Sequence, residues 1–195
     1  MYPLGEQFLV DYRRAKSDSK ACIVGKKYRF SVITERVIRI EYSPNGTFVD
    51  LPSQLVQNRN IGLPAFTLRQ DQTFLEITTK YFSLSYIKEK PFEGTNINPT
   101  KNLKITLLSN VDKDRQRDWY YKHPEVRNMN GNISGFDIHL NDRFKRGLYS
   151  LEGFASFDDS DTYLLDKDGT LLERPAGNID IYVFMYDKDF KEALT

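Results

Sequence analysis

A chain of 195 residues holds one domain and can bury a sizeable core, hiding roughly 70% of its unfolded surface. Lys plus Arg (28) almost cancels Asp plus Glu (27), and a net charge of +1 supplies no electrostatic reason for a nucleic acid or an anionic membrane as partner. No stretch approaches the roughly 20 apolar residues needed to span a bilayer, whereas twelve Tyr, thirteen Phe and one Trp favour pleated, half-buried surfaces over helices.

The N-terminus has no apolar run after its first basic residues, so no signal peptide is expected and the expected location is cytoplasmic. Cys22 is the sole cysteine, which excludes an internal disulfide; between Ala21 and Ile23 it reads as a small buried hydrophobe. Alternation with period two then takes over. Tyr28, Phe30 and Val32 share one face of a run over 27–34, with Lys27, Arg29 and Ser31 opposite. Ile38, Ile40 and Tyr42 share a face of 36–42 against Arg39 and Glu41, and the gap near Glu35 joins the two runs as a hairpin. Further alternating runs carry Leu75 and Ile77; Phe82, Leu84 and Tyr86; Leu103, Ile105 and Leu107; and Phe136, Ile138 and Leu140.

The stretch 109–132 is polar and lacks alternation, which predicts a long excursion outside the core. Phe154 to Phe157 alternate again, and Asp168-Gly169 reads as a turn between strands. The last run, 179–186, is apolar on both faces, with Ile181, Val183 and Met185 against Tyr182, Phe184 and Tyr186; it predicts a central strand covered on both sides. Many short strands with almost no helical periodicity predict an all-β fold, a β-sandwich. The C-terminus departs from this pattern. Asp189 can cap a helix, Glu192 stands in its capping-box position, and Phe190, Ala193 and Leu194 fall on one face, so a short helix is expected to start within 187–194. So short a helix is unstable by itself. The natural polypeptide is therefore expected to continue, with 1–186 a β-sandwich domain and 187–195 the start of a helical lead into a further domain.

Phosphate-loop, dinucleotide, zinc-protease and C-x-x-C patterns are all missing, and no cofactor or metal is expected. Arg143 to Arg146 form a short basic run that reads as a solvated loop. An imidazole ordinarily titrates near neutrality, so His123 or His139 could act as an acid or base, but without convergent partners they read as ordinary surface or hydrogen-bonded residues. Asp158, Asp159 and Asp161 cluster after the run at 154–157. Asp and Ser at a strand end make turns; adjacent carboxylates at a loop tip can equally accept hydrogen bonds from sugar hydroxyls. Trp119, flanked by Asp118, Tyr120 and Tyr121, suits either a sugar-stacking platform or a core position.

The order of these segments resembles family 31 glycoside hydrolases. Arg36-Val37-Ile38-Arg39-Ile40-Glu41-Tyr42 followed by Leu51-Pro52-Ser53 is similar to the family's opening strand and its P-S segment. Trp119, then Asn128-Met129-Asn130-Gly131, is similar to its W…N-L-x-G stretch. Gly147-Leu148-Tyr149-Ser150-Leu151-Glu152-Gly153-Phe154 through Asp158-Asp159-Ser160 resembles G-L-L-S-R-D-G-W-x-x-x-D-D-S, with Leu151-Glu152 standing where the family has Arg-Asp. Asp180-Ile181-Tyr182-Val183-Phe184 and Asp189 to Leu194 resemble the lead into the family's barrel.

The resemblance implies a galactose-mutarotase-like β-sandwich packed on a catalytic (β/α)8 barrel of the same polypeptide. It implies a retaining enzyme acting on α-linked glucosides or related oligosaccharides, with both catalytic carboxylates in that barrel and hence no catalytic residue in this chain. By position in the motif, Asp158 and Asp159 are the candidates for sugar contact, with Trp119 beside them. An apolar docking face for the barrel is also implied, so self-association into a homo-oligomer is expected of the isolated domain. An independent carbohydrate-binding module and an aldose epimerase are the competing readings; fold alone does not choose among them.

Overall fold

The computed structural model describes residues 10–93, 102–108, 117–129, 146–168 and 170–192. Among them two five-stranded antiparallel sheets face each other as a β-sandwich. The first sheet runs in the order β1 (Cys22–Val24), β2 (Tyr28–Val32), β3 (Val37–Tyr42), β12 (Ile179–Met185) and β9 (Phe154–Asp158). The second runs β4 (Thr67–Gln70), β5 (Phe74–Thr78), β6 (Phe82–Ile87), β7 (Leu103–Leu107) and β8 (Arg117–Tyr120). A small ribbon of β10 (Leu164–Leu165) and β11 (Leu171–Leu172) lies apart from both, joined across the turn expected at Asp168.

The core forms where the apolar phases of the two sheets meet. Phe30, Ile40 and Val183 from one sheet and Leu75, Leu84 and Ile105 from the other are all fully enclosed. The register makes this possible: Phe30 pairs with Ile40, Ile40 with Ile181, and Leu84 with both Ile77 and Ile105, so each apolar phase stays on one side. Rings from Tyr28, Phe30 and Tyr86 meet within this core at centroid separations of 5.0–5.2 Å.

The expected hairpin is present as β2 and β3, and 179–186 is the expected central strand, held between β3 and β9. One expectation is corrected. Within 109–132, Arg117–Tyr120 is not an excursion but the edge strand β8, placing Trp119 opposite Ile105 in the core. A four-residue strand is too short for alternation to show. At the C-terminus 187–188 and 190–192 are turns, and the rest of the expected helix, at 193–194, lies outside the described residues. Ahead of it Asp187 sits at φ 55, and the amides of Tyr186 and Asp187 both donate to the Gly153 carbonyl. The capping contact does exist, with Asp189 Oδ1 accepting from the Glu192 amide at 3.4 Å. The strand expected at 136–140, with His139, lies outside the described residues. Cys22 is half-buried, its Sγ 3.3 Å from the Asp18 carbonyl. No helix among the described residues is long and apolar enough to cross a membrane.

Gly153 shows how tightly β9 is set against the end of β12. Its φ is +81, and a Cβ there would sit 2.7 Å from the Asp187 Cα, so only glycine fits.

Candidate functional site

The two adjacent carboxylates of the Asp158-Asp159 pair point into different environments, because successive residues leaving a strand face opposite sides. Asp159 turns to the outer face of the first sheet. It is completely buried, and its oxygens accept from Ser53 Oγ at 2.7 Å, from Thr162 Oγ1 and from Arg174 Nη2 at 2.6 Å. It is the end of a buried chain of alternating charge. Arg29 Nε lies 2.6 Å from Glu41, Arg39 Nη2 lies 3.0 Å from Glu41 and 2.7 Å from Asp180, and Arg174 bridges Asp180 and Asp159. Burial alone would raise the Asp180 carboxyl, but the guanidinium groups of Arg39 and Arg174 hold it below its ordinary value. With every carboxylate matched by a guanidinium, this array is a structural lock. It leaves Asp159 no surface to offer a ligand.

Asp158 is exposed, and it faces a cavity of about 400 Å³. The cavity opens between β8 and β9, which are the corresponding edge strands of the two sheets. Trp119 from β8, Tyr121 and His123 from the turn after it, Arg146, and Ser156, Phe157 and Asp158 from β9 line it. Asp158 and Trp119, far apart in sequence, are thus brought to one space; Asp159 is not. Asp158 Oδ1 accepts from the Ser160 amide at 3.0 Å and from its hydroxyl, which orients the carboxylate. The Tyr121 hydroxyl is pushed up by burial and then by the charge of Asp158. Trp119 is 1% exposed, so it cannot serve as an open stacking platform, yet its Nε1–H has no hydrogen-bond partner among the described residues. An unpaired buried donor costs about 1–3 kcal/mol and calls for a reason.

His123, an ordinary polar residue by its sequence surroundings, is a further member of this wall. Its ring meets Tyr120 at 4.6 Å and Phe154 at 5.1 Å, bridging the two sheet edges. Its Nδ1 accepts from the Glu125 amide at 2.9 Å, so the neutral ring carries its proton on Nε2. Burial and then the nearby Arg146 push its pKa down to about 4. No spacing signal in the sequence marks His123, because its partners come from three separate segments.

This shift makes stability sensitive to acid. Unfolded His123 takes up its proton near 6.5 and the folded form only near 4. The unfolded state therefore binds more protons between those values, and stability falls as pH drops through that window, by roughly 2 kcal/mol after discounting a half-buried site. Glu125 works the other way, since burial raises its carboxyl. In urea titrations at neutral pH and at about pH 4, His123→Gln should lose less stability than the parent chain; equal losses would show that His123 does not carry the effect.

Among the described residues no group of His, Cys, Asp and Glu is placed to hold a metal ion. No family model matches the chain, and no curated protein matches it. Solved structures with similarity include a Flavobacterium johnsoniae GH31 dextranase complexed with glucose, at TM-score 0.47 and 14% identity over 90% of this chain. A mutant of that dextranase complexed with isomaltotriose gives TM-score 0.45 and 14% identity, again over 90% of this chain. The chain spans 25% of the length of each of those enzymes.

Proposed function

We propose that this chain is the non-catalytic β-sandwich domain, of the galactose-mutarotase-like type, of an α-glucosidase-like glycoside hydrolase. In this reading it packs on the catalytic barrel of a longer polypeptide and contributes one wall of the sugar pocket. Asp158 supplies a carboxylate to sugar hydroxyls, the Trp119 indole N–H meets a ligand acceptor, and Asp159 secures the loop from behind. The observation that carries the reading is the convergence of Asp158 and Trp119 on one cavity at the open edge of the sandwich. The ordered run of family-like motifs, from Arg36 to Phe184, supports it. Both motif regions flanking the cavity are among them: Trp119, and Gly147 through Ser160.

A chromogenic α-glucoside assay on the chain and on the longer enzyme tests the reading. The chain should be inert and the longer protein active; turnover by the 195-residue chain alone would overturn it. In the longer enzyme, Asp158→Ala should raise KM about tenfold, as expected for losing a charge-assisted hydrogen bond to substrate. The cavity is lined by this chain's own residues, which favours a second reading as an independent carbohydrate-binding module. Calorimetric titration of the chain with millimolar maltose and isomaltose separates the two, since a wall of a larger pocket should show no detectable binding.

A further inference from the structure

Directly behind the cavity lies a buried acid that does not line it but is bonded to what does. Glu125 is 2% exposed; its carboxylate ties its own turn to β9, and its other polar bonds stay within the turn. One carboxylate oxygen accepts from the hydroxyl of Ser156 on β9. The other accepts from Asn128 Nδ2 at 3.3 Å. Asn128 in turn donates to the Gly147 carbonyl and accepts from the Gly147 amide, both at 2.9 Å, pinning the backbone beside Arg146. The Glu125 amide donates to His123 Nδ1 at 2.9 Å. Arg146 completes the circuit by donating to the carbonyls of His123 at 3.3 Å and Pro124 at 2.9 Å. Two lining residues, Ser156 and His123, therefore bond Glu125 directly, and the segment of a third, Arg146, is tied to it through Asn128 and Gly147.

The backbone of this turn is strained to achieve it. Lys122 has φ 63 and Glu125 has φ 46, left-handed values that non-glycine residues rarely adopt. Such conformations persist only where surrounding contacts over-determine them. Here those contacts are the Glu125 carboxyl on Ser156 and Asn128, the Asn128 amide on the Glu125 carbonyl at 2.9 Å, and Arg146 on the carbonyls of His123 and Pro124; losing the carboxyl removes the one tie from this turn to β9 that Glu125 itself makes.

We propose that Glu125 is the positioning residue of this cavity, holding the Ser156 hydroxyl, the His123 Nε2–H tautomer and the Arg146 segment in one arrangement. This rests on the reading that the cavity faces a sugar. Two spectroscopic readouts report the arrangement without any ligand: the tautomer of His123 by long-range proton–nitrogen correlation, and acrylamide quenching of Trp119, the chain's one tryptophan. The parent chain should show a single neutral Nε2–H tautomer and a shielded indole. Glu125→Ala should give mixed tautomers and several-fold stronger quenching while its far-ultraviolet dichroism is retained. Glu125→Gln should restore the parent behaviour, because its amide can accept from Asn128 and donate to Ser156. Parent-like spectra in Glu125→Ala would overturn the proposal. Should that variant fail to fold, Ser156→Ala removes one partner alone and must increase quenching; no change there overturns the proposal equally. In the longer enzyme, KM for an α-glucoside should rise about tenfold in Glu125→Ala, with kcat moved less. A disordered cavity with an unchanged KM would uphold the positioning role and remove the sugar reading instead.

Discussion

Asp159→Ala is expected to cost about 3–5 kcal/mol of folding stability, while Asp158→Ala, one residue away, should stay within about 0.5 kcal/mol. The difference arises from what each carboxylate faces. Removing Asp159 leaves Arg174 with only Asp180, and takes from Arg59 its nearest counter-charge, 4.0 Å away, in a site where neither side chain of that pair has any exposure. Arg59 already has one guanidinium nitrogen without a hydrogen-bond partner, so the site has no spare acceptor to substitute. Asp158 is exposed and, among the described residues, its carboxylate bonds only to Ser160, two residues on, so its loss strands no buried group there. Urea unfolding of the two variants gives the comparison directly, with unchanged m-values confirming that both unfold from the same fold. Equal losses would mean that the two carboxylates do not occupy separate environments.

Trp119→Ala should lose about 3–5 kcal/mol, since it empties the largest fully buried side chain in the core. Trp119→Phe should lose far less, near 1 kcal/mol, because the smaller ring still packs on Ile105 while the unpaired indole donor is eliminated, which offsets part of the lost volume. Thermal unfolding reads both. If the phenylalanine variant proves as damaged as the alanine one, the indole N–H has a partner that keeps it satisfied. On the proposed reading, a stable Trp119→Phe variant of the longer glycoside hydrolase with a raised KM would identify Nε1–H as a ligand donor.

Much of the sandwich is legible in the chain because alternation is a local property. Tyr28, Phe30 and Val32, or Leu103, Ile105 and Leu107, announce one apolar face whatever they pack against. The both-faced run at 179–186 likewise reads as the strand with neighbours on each side, and it lies between β3 and β9. Short elements escape this signal. The strand at Arg117–Tyr120 offers too few residues to show a period.

The site is only half legible. The motif 147–160 marks Asp158 and Asp159 together, since neighbours in sequence look alike to a pattern, but a strand sends them to opposite faces. Trp119 stands out by its residue type, whereas His123 and Glu125 do not. A glutamate amid polar residues looks solvated until its partners arrive from β9 and, through Asn128, from Gly147.

The amino-acid order alone determined the class of fold and which phase of each strand is apolar, because those depend on side chains two residues apart. Whether the polar phase of β2, β3 and β12 meets water or a set of buried counter-ions was decided only in three dimensions. Arg29 and Arg39 are enclosed because the segment Phe48, Val49 and Asp50 folds onto them, and Asp180 because Arg174 reaches it from a further segment. The same holds for the cavity, which exists only where the last strands of two sheets come to lie edge to edge.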